Sequence, residues 1–374
     1  MVIFLHIVLY DEKFFNSVIS QFEGDKRFCN QCLIYVPSGS KTKININLKY
    51  KIVRNEKQLL KEVSLVKYDF VFFHSLHSIF IKVMDYIPKT KKVIWWAWGY
   101  DLYSTEGRMP PFLPVELYKP HTCKLLNERI NKAIVDFKRL WLFICHYLYK
   151  NKLKKIINRI DYFQPVTKYE YTLICMTYPT MSAKEFYYPN SFAENLSDHY
   201  IHSCEGTGII LGNSATYTNN HIDVWNNIHQ YIQKDQKVYI PLSYGSKDYA
   251  TKVMERIVSN NVVFLDTFLK NEQYEALFDK CSYFIVGCIR QQAMGNISIC
   301  IARGIKIFAY RDSIIYKALE SYGCYVFAIE DVDNMSFSTP LTRDEVNHNI
   351  MCYKAEKIRR KEILDQFFDE MPLV

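Results

Sequence analysis

Three short segments in the second half of the chain combine small residues, amides and hydroxyls at the ends of apolar runs. Gly208 to His221 reads GIILGNSATYTNNH, Ser243 to Gly245 reads SYG, and Gln291 to Asn296 reads QQAMGN. A turn from strand to helix gathers backbone N–H groups at the positive end of the helix dipole, which suits a phosphate or diphosphate. Any parallel α/β unit also needs a small-residue turn there, so the pattern alone leaves both interpretations open.

The remaining pattern predicts the elements that position these segments. Apolar runs alternate with helical periodicity along the whole chain, which indicates α/β folding around parallel sheets. A length of 374 residues favours two domains. We therefore expect two Rossmann-like domains facing a cleft. The predicted divisions are an N-terminal domain at 1–190, a polar linker at 191–207, a C-terminal domain at 208–340 and a C-terminal helix at 341–374.

Two polar residues end neighbouring apolar runs in the first half. The run at 69–73 ends at His74, and the run at 92–98 ends in Gly-Tyr-Asp with Asp101 last. Ligands of open α/β sheets collect at the carboxyl ends of strands. Asp101 is therefore our first candidate for a general base or for a carboxylate that orients a hydroxyl, with a turn aspartate as the alternative. His74 is the second candidate base, with a core histidine as the alternative.

Metal ligands do not group in the sequence. Asp331 and Asp333 form an Asp-x-Asp motif late in the chain, which we interpret as a turn. Cys29 and Cys32 have no second Cys or His pair at ligand spacing, and a buried strand is the favoured interpretation. We expect no metal and no other cofactor. Transfer from a nucleotide sugar requires that the growing charge on the departing nucleoside diphosphate be stabilised. Amides and backbone N–H groups can stabilise this charge without a metal.

The segment 121–160 is strongly basic. It holds ten Lys or Arg against two acidic residues, while the formal net charge of the whole chain is +8. Inside it, Leu140 to Tyr149 reads LWLFICHYLY. A basic, amphipathic and aromatic helix suits an anionic membrane surface. A solvated basic helix that packs on its domain is the alternative, and nucleic acid is disfavoured because no recognition motif accompanies the charge.

The N-terminal run and the cysteines indicate the compartment. No basic residue precedes the apolar run at Met1 to Leu9, so we expect no signal peptide. Eleven scattered cysteines are typical of reduced thiols, and no apolar run reaches the length of a membrane span. We expect a cytoplasmic protein, or one peripheral to the cytoplasmic face of the inner membrane.

Four motifs, in order, resemble the bacterial 4-alpha-L-fucosyltransferases of glycosyltransferase family 56. They are WAWGYDLY at Trp96 to Tyr103, LGNSATYTNNH at Leu211 to His221, PLSYG at Pro241 to Gly245 and RQQAMGN at Arg290 to Asn296. The resemblance implies a GT-B fold, a peripheral inner-membrane location and a polyprenyl-diphosphate-linked acceptor. Phe14 and Phe15 stand where the resemblance leads us to expect histidines, which leaves the acceptor open.

The resemblance also implies roles for individual residues. A GT-B enzyme holds its donor in the second domain, and the residues assigned to it are Gly212, Asn213, Ser214, Tyr244, Gly245, Gln291, Gln292 and Asn296. Asn219 and Asn220 are the alternative N-caps of the following helix, and for Asn219 we favour this role. The implied reaction moves a fucose-like or N-acetylfucosamine-like sugar from a nucleoside diphosphate, dTDP first, to a lipid-linked or other glycan. The alternatives are a GT-B transferase that uses GDP-fucose or CMP-sialic acid, and a non-catalytic two-domain sugar-binding protein.

Overall fold

The computed structural model describes residues 2–11, 15–37, 39, 42–103, 111–128, 144, 147–188 and 206–371. The chain divides into two compact units. The first unit comprises Met1–Pro114, Arg139–Ser191 and Arg360–Val374, and the second comprises Val115–Lys138 and Phe192–Arg359. Residues 115–138, predicted within the N-terminal domain, belong to the second unit, and 360–374, predicted within the C-terminal helix, belong to the first. The second unit also takes in 192–207 of the predicted linker and 341–359 of the predicted C-terminal helix.

The first unit is an α/β unit whose elements alternate along the chain. Its strands are β1 (Val2–Leu9), β2 (Phe28–Tyr35), β3 (Lys49–Val53), β4 (Phe70–His74), β5 (Lys92–Trp96), β6 (Tyr162–Gln164) and β7 (Lys184–Glu185). Its helices are α1 (Phe15–Ile19), α2 (Glu56–Leu65), α3 (Ser78–Met84), α4 (Tyr100–Tyr103), α6 (residues 147–157) and α7 (Lys168–Thr177).

The first sheet is parallel throughout its described strands, in the order β3-β2-β1-β4-β5-β6-β7. Its central strands are apolar runs buried on both faces, as parallel sheets require. The strand order reverses between β1 and β4, so the crevice at their carboxyl ends is the expected ligand position of this unit. His74 is the last residue of β4 and lies at that point.

The second unit repeats the alternation. Its strands are β8 (Gly208–Leu211), β9 (Val238–Pro241), β10 (Val262–Leu265), β11 (Cys281–Val286), β12 (Lys306–Ala309) and β13 (Phe327–Ala328). Its helices are α5 (Pro120–Asn127), α8 (His221–Ile228), α9 (Lys247–Arg256), α10 (Asn271–Phe278), α11 (Met294–Arg303), α12 (Ile314–Tyr322) and α13 (Arg343–Asp369), the last of which continues into the first unit from Arg360.

The second sheet is also parallel, in the order β10-β9-β8-β11-β12-β13. Alternate residues of its central strands enter two separate apolar cores: Ile209 and Leu211 lie in one, and Ile210 lies in the other. Both faces of the sheet are therefore covered. The order reverses between β8 and β11, which sets the expected ligand crevice after Leu211 and Val286.

Several local features differ from the sequence-based expectation. β3 begins at Lys49, whereas the apolar pattern predicts a strand from Lys43. Helix α3 was not predicted, and His77 caps its first turn. Within the basic segment 121–160, residues 129–143, 145 and 146 lie outside the described residues, and they include six of the ten residues of the apolar patch at 140–149. Ile144, Tyr147 and Leu148 of the patch are described and are exposed. In the described part of the chain, no helix combines the length and apolar character needed to cross a bilayer.

Candidate functional site

The turn after β8 is closed by side chains. Gly212 adopts a φ of 73°, in the left-handed region that favours glycine. Asn219 then folds back across the turn: its Oδ1 accepts from the N–H of Asn213 at 3.2 Å, and its Nδ2 donates to the carbonyl of Ser214 at 2.9 Å and to Thr216 Oγ1 at 2.9 Å. Asn219 is fully buried. It fixes the loop that precedes α8.

The expectation that Asn219 caps α8 is wrong. The N-cap is Asn220, in the left-handed conformation, and its side chain makes no capping bond to α8. Asn220 instead donates to the carbonyl of Gly287 at 2.8 Å and accepts from the N–H of Lys119 at 2.9 Å. These bonds tie the start of α8 to the ends of β11 and of the segment before α5. A short asparagine pair resembles a cap in sequence, and only tertiary contacts decide between the two roles.

Most backbone N–H groups of this turn already donate hydrogen bonds within the protein. The N–H of Gly212 donates to Ile285, that of Ala215 to Tyr244 and that of Thr216 to Ser214. The sequence-based picture of a turn offering free N–H groups therefore does not describe this loop. Its hydroxyls and amide side chains are the groups left to meet a ligand.

Gln292 joins two of the predicted segments. Its Nε2 donates to Asn213 Oδ1 at 2.9 Å, and its Oε1 accepts from Thr218 Oγ1 at 2.8 Å. The turn after β8 and the segment after β11 are thus linked by one amide side chain at the point where the strand order reverses. Ser214 belongs to the same cluster, within 3.4 Å of Asn213 Oδ1.

The third predicted segment meets this cluster through the backbone. Ala215 forms a parallel bridge with Gly245, and its N–H donates to the carbonyl of Tyr244 at 2.7 Å. Gly245 has a φ of 118°, and a β-carbon there would lie 2.4 Å from the carbonyl oxygen of Ala215. Only glycine fits this approach. The Tyr244 side chain is half-exposed.

The start of α11 offers backbone donors that the β8 turn lacks. Its N-cap, Ala293, has a φ of 60° and no side chain able to cap, so the first-turn N–H groups from Met294 onward have no partner within the helix. Among the described residues, no atom other than those of its chain neighbours and of the helix backbone lies within 4 Å of a β-carbon placed on Gly295, so the backbone there is open to approach. Arg290 precedes this start, and its guanidinium donates to the carbonyl of Gln291 at 3.1 Å.

Two of the residues predicted to bind the sugar donor lie outside this hydrogen-bonded cluster. Gln291 is buried. Asn296 lies in the first turn of α11 and donates to Tyr274 of α10 at 2.8 Å. The hydrogen-bonded cluster thus directly contains Asn213, Ser214 and Gln292, with the two glycines shaping its backbone.

A buried histidine lies beneath this cluster. His221 begins α8, is fully buried, and its Nδ1 is 3.1 Å from the hydroxyl of Tyr249. Burial lowers the pKa of His221 to about 3, so the ring is neutral under ordinary conditions. Its Nε2 has no hydrogen-bond partner within the part of the chain described and faces Gly212.

In the first unit, Asp101 holds two strand ends together. Its Oδ2 accepts from the N–H of Leu76 at 2.9 Å and from Trp95 Nε1 at 2.7 Å, and its Oδ1 accepts from the N–H of Trp98 at 2.8 Å. Burial raises the pKa of Asp101, and these three donors partly offset the effect. The carboxylate links the segments that follow β4 and β5.

His74 belongs to a buried chain of hydrogen bonds. Its Nε2 lies 2.9 Å from His6 Nδ1, and His6 Nε2 lies 2.9 Å from Asn30 Oδ1. Burial holds the pKa of His74 well below its usual range and lowers that of His6 to about 4. The next residue, Ser75, has a φ of 84°, a strained conformation for a serine, and its hydroxyl bonds to Tyr100.

A second buried carboxyl lies in the same unit. Tyr103 donates to Glu170 Oε1 at 2.7 Å, and the N–H of Thr167 donates to Oε2 at 2.9 Å. Burial raises the pKa of Glu170 to about 7. Thr167 and Glu170 form a capping box at the start of α7, and that spacing was visible in the sequence.

Three partners that organise the two sites were not predicted. His6 and Asn30 lie within apolar runs, and no local motif marks them. Thr218 lies inside the LGNSATYTNNH motif, but nothing in the motif distinguishes it from the neighbouring hydroxyls. The late Asp-x-Asp is a turn, as predicted: Asp333 Oδ1 accepts from the N–H of Met335 at 3.0 Å.

Solved glycosyltransferases share this fold. The apo form of the lipopolysaccharide outer core galactosyltransferase WaaB matches with a TM-score of 0.57 and 10% identity, covering 96% of this chain and 100% of its own. The UDP-forming α,α-trehalose-phosphate synthase of Burkholderia vietnamiensis matches with a TM-score of 0.62 and 8% identity, covering 99% and 100%. A glycosyltransferase from Rickettsia africae ESF-5 matches with a TM-score of 0.53 and 10% identity, covering 97% and 98%.

These matches confirm the predicted GT-B class of two Rossmann-like α/β units. The class is that of glycosyltransferases, which take a nucleotide-sugar donor and a glycan acceptor. Within it, the model of the 4-alpha-L-fucosyltransferase glycosyl transferase group 56 family matches residues 143–344, more than half of the chain. The chain belongs to that family, and the resemblance inferred from its motifs is confirmed.

Proposed function

We propose that this enzyme transfers either an N-acetylfucosamine-like deoxy-amino sugar or a fucose-like sugar from a nucleoside diphosphate, with dTDP as the first choice. The acceptor is a polyprenyl-diphosphate-linked or other glycan in bacterial surface polysaccharide synthesis. The observation that carries the donor half is the Gln292 bridge between Asn213 and Thr218 at the strand-order reversal of the second sheet. Ligands of open α/β sheets bind at such reversals.

The donor's diphosphate is assigned to the start of α11. First-turn N–H groups, the helix dipole and the Arg290 guanidinium all favour negative charge there. Charge grows on the diphosphate as its bond to the sugar breaks, so these groups stabilise the transition state more than the ground state. No metal is required in this proposal. The residues assigned to the donor are Gly212, Asn213, Ser214, Tyr244, Gly245, Gln291, Gln292 and Asn296.

His74 and Asp101 are the proposed acceptor-side residues. His74 is the candidate base, since a neutral imidazole can accept a hydroxyl proton. Asp101 already accepts three hydrogen bonds, one of them from Leu76, two residues beyond His74. We therefore assign Asp101 to positioning the strand end that carries the base.

Nucleotide release from a panel of donors tests the proposed function. The purified enzyme is incubated with dTDP-N-acetylfucosamine, GDP-fucose, CMP-sialic acid and UDP-glucose, and the freed nucleotide is quantified. Preference for the dTDP-sugar is expected. Preference for GDP-fucose or CMP-sialic acid would replace the proposed donor. UDP-glucose is included because the trehalose-phosphate synthases of similar fold are UDP-forming.

The basic segment 121–160 is proposed to hold the enzyme on the cytoplasmic face of the inner membrane. The segment has an excess of Lys and Arg. Each of these side chains that lies near an anionic membrane surface contributes about 1 kcal/mol to the binding free energy. Flotation with vesicles of phosphatidylglycerol and phosphatidylethanolamine tests this. A variant with serine at the apolar positions of 140–149 is expected to partition less, and equal partitioning would remove the segment from the mechanism.

A further inference from the structure

The buried chain Asn30–His6–His74 has only one consistent set of proton positions. Asn30 Nδ2 donates to the carbonyl of Phe22 at 3.0 Å, and because a carbonyl can only accept, the orientation of the amide is fixed. Its Oδ1 therefore faces His6 Nε2, at 2.9 Å, and can only accept. His6 carries its proton on Nε2.

The same reasoning continues to His74. A neutral His6 protonated on Nε2 has a lone pair on Nδ1, so the contact of 2.9 Å with His74 must be donated by His74 Nε2–H. His74 Nδ1 then carries a lone pair. Among the described residues this atom has no hydrogen-bond partner, although His74 is only 4% exposed. A buried acceptor without a donor costs about 1–3 kcal/mol, so it needs a reason.

The His74 ring lies at the edge of an aromatic core cluster, in which Phe22, Phe72 and Trp96 are buried and Trp98 is partly exposed. The rings of Phe22, Phe72 and Trp96 lie within 5.5 Å of the His74 ring, centroid to centroid, and Trp98 lies 4.7 Å from Trp96. Aromatic faces pack against the apolar faces of sugars while their hydroxyls seek polar partners. The strained backbone of Ser75, immediately after His74, is a further mark of a functional position.

We propose that His74 Nδ1 takes the proton of the acceptor hydroxyl, and that His6 and Asn30 are positioning residues that fix the tautomer which makes this possible; the inference rests on the proposed glycosyl transfer. The acceptor O–H bond breaks as its proton binds Nδ1. The oxygen bonds to the anomeric carbon, and the bond from that carbon to the diphosphate breaks, leaving its electron pair on the nucleotide.

The chain also shares the charge that results. When His74 becomes an imidazolium, its Nε2 proton shifts toward His6 Nδ1, and Asn30 Oδ1 accepts from the His6 Nε2–H that polarises in turn. The single positive charge is thus shared by the His74 and His6 rings. The proton returns to solvent when the product leaves.

NMR tests the tautomer without any substrate. Long-range ¹⁵N–¹H correlation of the histidine rings in the full-length wild-type protein is expected to show His74 protonated on Nε2 and bare on Nδ1. The His74→Ala variant assigns the signals. A proton on Nδ1 of His74 would overturn the inference and leave the proposed donor untouched.

Kinetics with dTDP-N-acetylfucosamine and a polyprenyl-diphosphate-linked acceptor test the role. His74→Ala is expected to lower kcat by about 100-fold or more, with unchanged dTDP affinity and partial rescue by added imidazole. His6→Phe and Asn30→Leu should lower kcat by smaller factors without changing the donor KM. Phe80→Leu is the matched control, because Phe80 is a fully buried phenylalanine of the same unit whose ring packs against Tyr35, Phe73 and His77. Normal kcat in His74→Ala would overturn the inference, whereas absent turnover in the wild type would overturn the proposed function.

Discussion

His221 Nε2 lies against Gly212 so closely that a β-carbon on Gly212 would come within 2.4 Å of it. The glycine also has a φ of 73°. The strand end after β8 therefore depends on the absence of a side chain, and the histidine beneath it fixes how the turn is built. Both constraints act at the head of the proposed donor site.

Gly212→Ala is the first prediction. The β-carbon meets His221 and the backbone is strained, so the free energy of unfolding should fall by about 1–3 kcal/mol, and dTDP binding should weaken. Urea unfolding and calorimetric titration with dTDP measure the two effects. Gly24→Ala is the control, because it has a negative φ and nothing within 4 Å of the added carbon. Equal stability of the two variants would refute this view of the turn.

Gln292→Ala should weaken dTDP binding by about 10- to 100-fold. Its amide joins the two segments of the proposed donor site, and a hydrogen bond to a charged group contributes about 1.5–3 kcal/mol. Titration calorimetry with dTDP gives the affinity. Gln366→Ala, an exposed glutamine on α13, serves as the control. Unchanged affinity in Gln292→Ala would place the donor elsewhere.

Arg290→Ala should lower kcat/KM for the donor by about 100-fold, since one charge-stabilising donor at a developing oxyanion contributes about 3 kcal/mol. The loss should fall mainly on kcat, because the charge on the diphosphate grows in the transition state. Arg256→Ala, whose guanidinium pairs with Glu128 on the surface, is the comparison. A rise in KM alone would mean that Arg290 only binds the donor.

Asp101→Asn should lower the free energy of unfolding by about 1–3 kcal/mol, because an amide cannot accept from all three of Leu76, Trp95 and Trp98. Transfer should be lost while dTDP affinity stays intact, since the donor residues lie in the second unit. Near-ultraviolet circular dichroism reports the packing of Trp95. Asp85→Asn, an exposed surface aspartate, is the control. A fully active variant would contradict the positioning role.

Glu170→Gln should change how stability depends on pH. The pKa of the folded-state carboxyl is about 7, above its ordinary value of 4.5, so folding favours the protonated form. The contribution of the protonated Glu170 carboxyl to the free energy of unfolding is fully present below about pH 4.5 and is lost as pH rises through about 7. The stability of the variant minus that of the wild type should therefore grow by roughly 2 kcal/mol from pH 5 to pH 8.

The wild type also loses stability on acidification. Because burial lowers the pKa values of His6 and His221, the folded state favours their neutral rings. The contribution of these neutral rings to the free energy of unfolding is fully present above about pH 6.5 and is lost as pH falls. The variant keeps both histidines, so the difference between the two proteins isolates Glu170. Urea titrations at several pH values measure it. A constant difference would contradict the buried, raised carboxyl.

The sequence predicts the fold better than the site. Apolar runs of four to eight residues mark the buried parallel strands, and the runs that end at His74 and before Gly99 are β4 and β5. The three donor segments are predicted because each follows such a run. That Gln292 joins two of them depends on β11 lying beside β8, which is a strand order that local patterns do not encode.

The hydrogen-bonded chain Asn30–His6–His74 could not be predicted from the sequence for the same reason. His6, Asn30 and His74 lie on three strands that are neighbours only because β1 enters between β2 and β4. In sequence each is a lone polar residue in or at the end of an apolar run. Asp101 is visible as a turn aspartate, but its bond to Leu76 crosses from one strand end to the next. Long-range pairing, which periodicity cannot supply, therefore decides which polar residues meet.

A crystal structure with bound dTDP would locate the donor site. We expect the diphosphate within hydrogen-bond distance of the first-turn N–H groups of α11, with Arg290 and the Gln292 cluster beside it. A nucleotide bound away from the carboxyl ends of β8 and β11 would contradict this expectation.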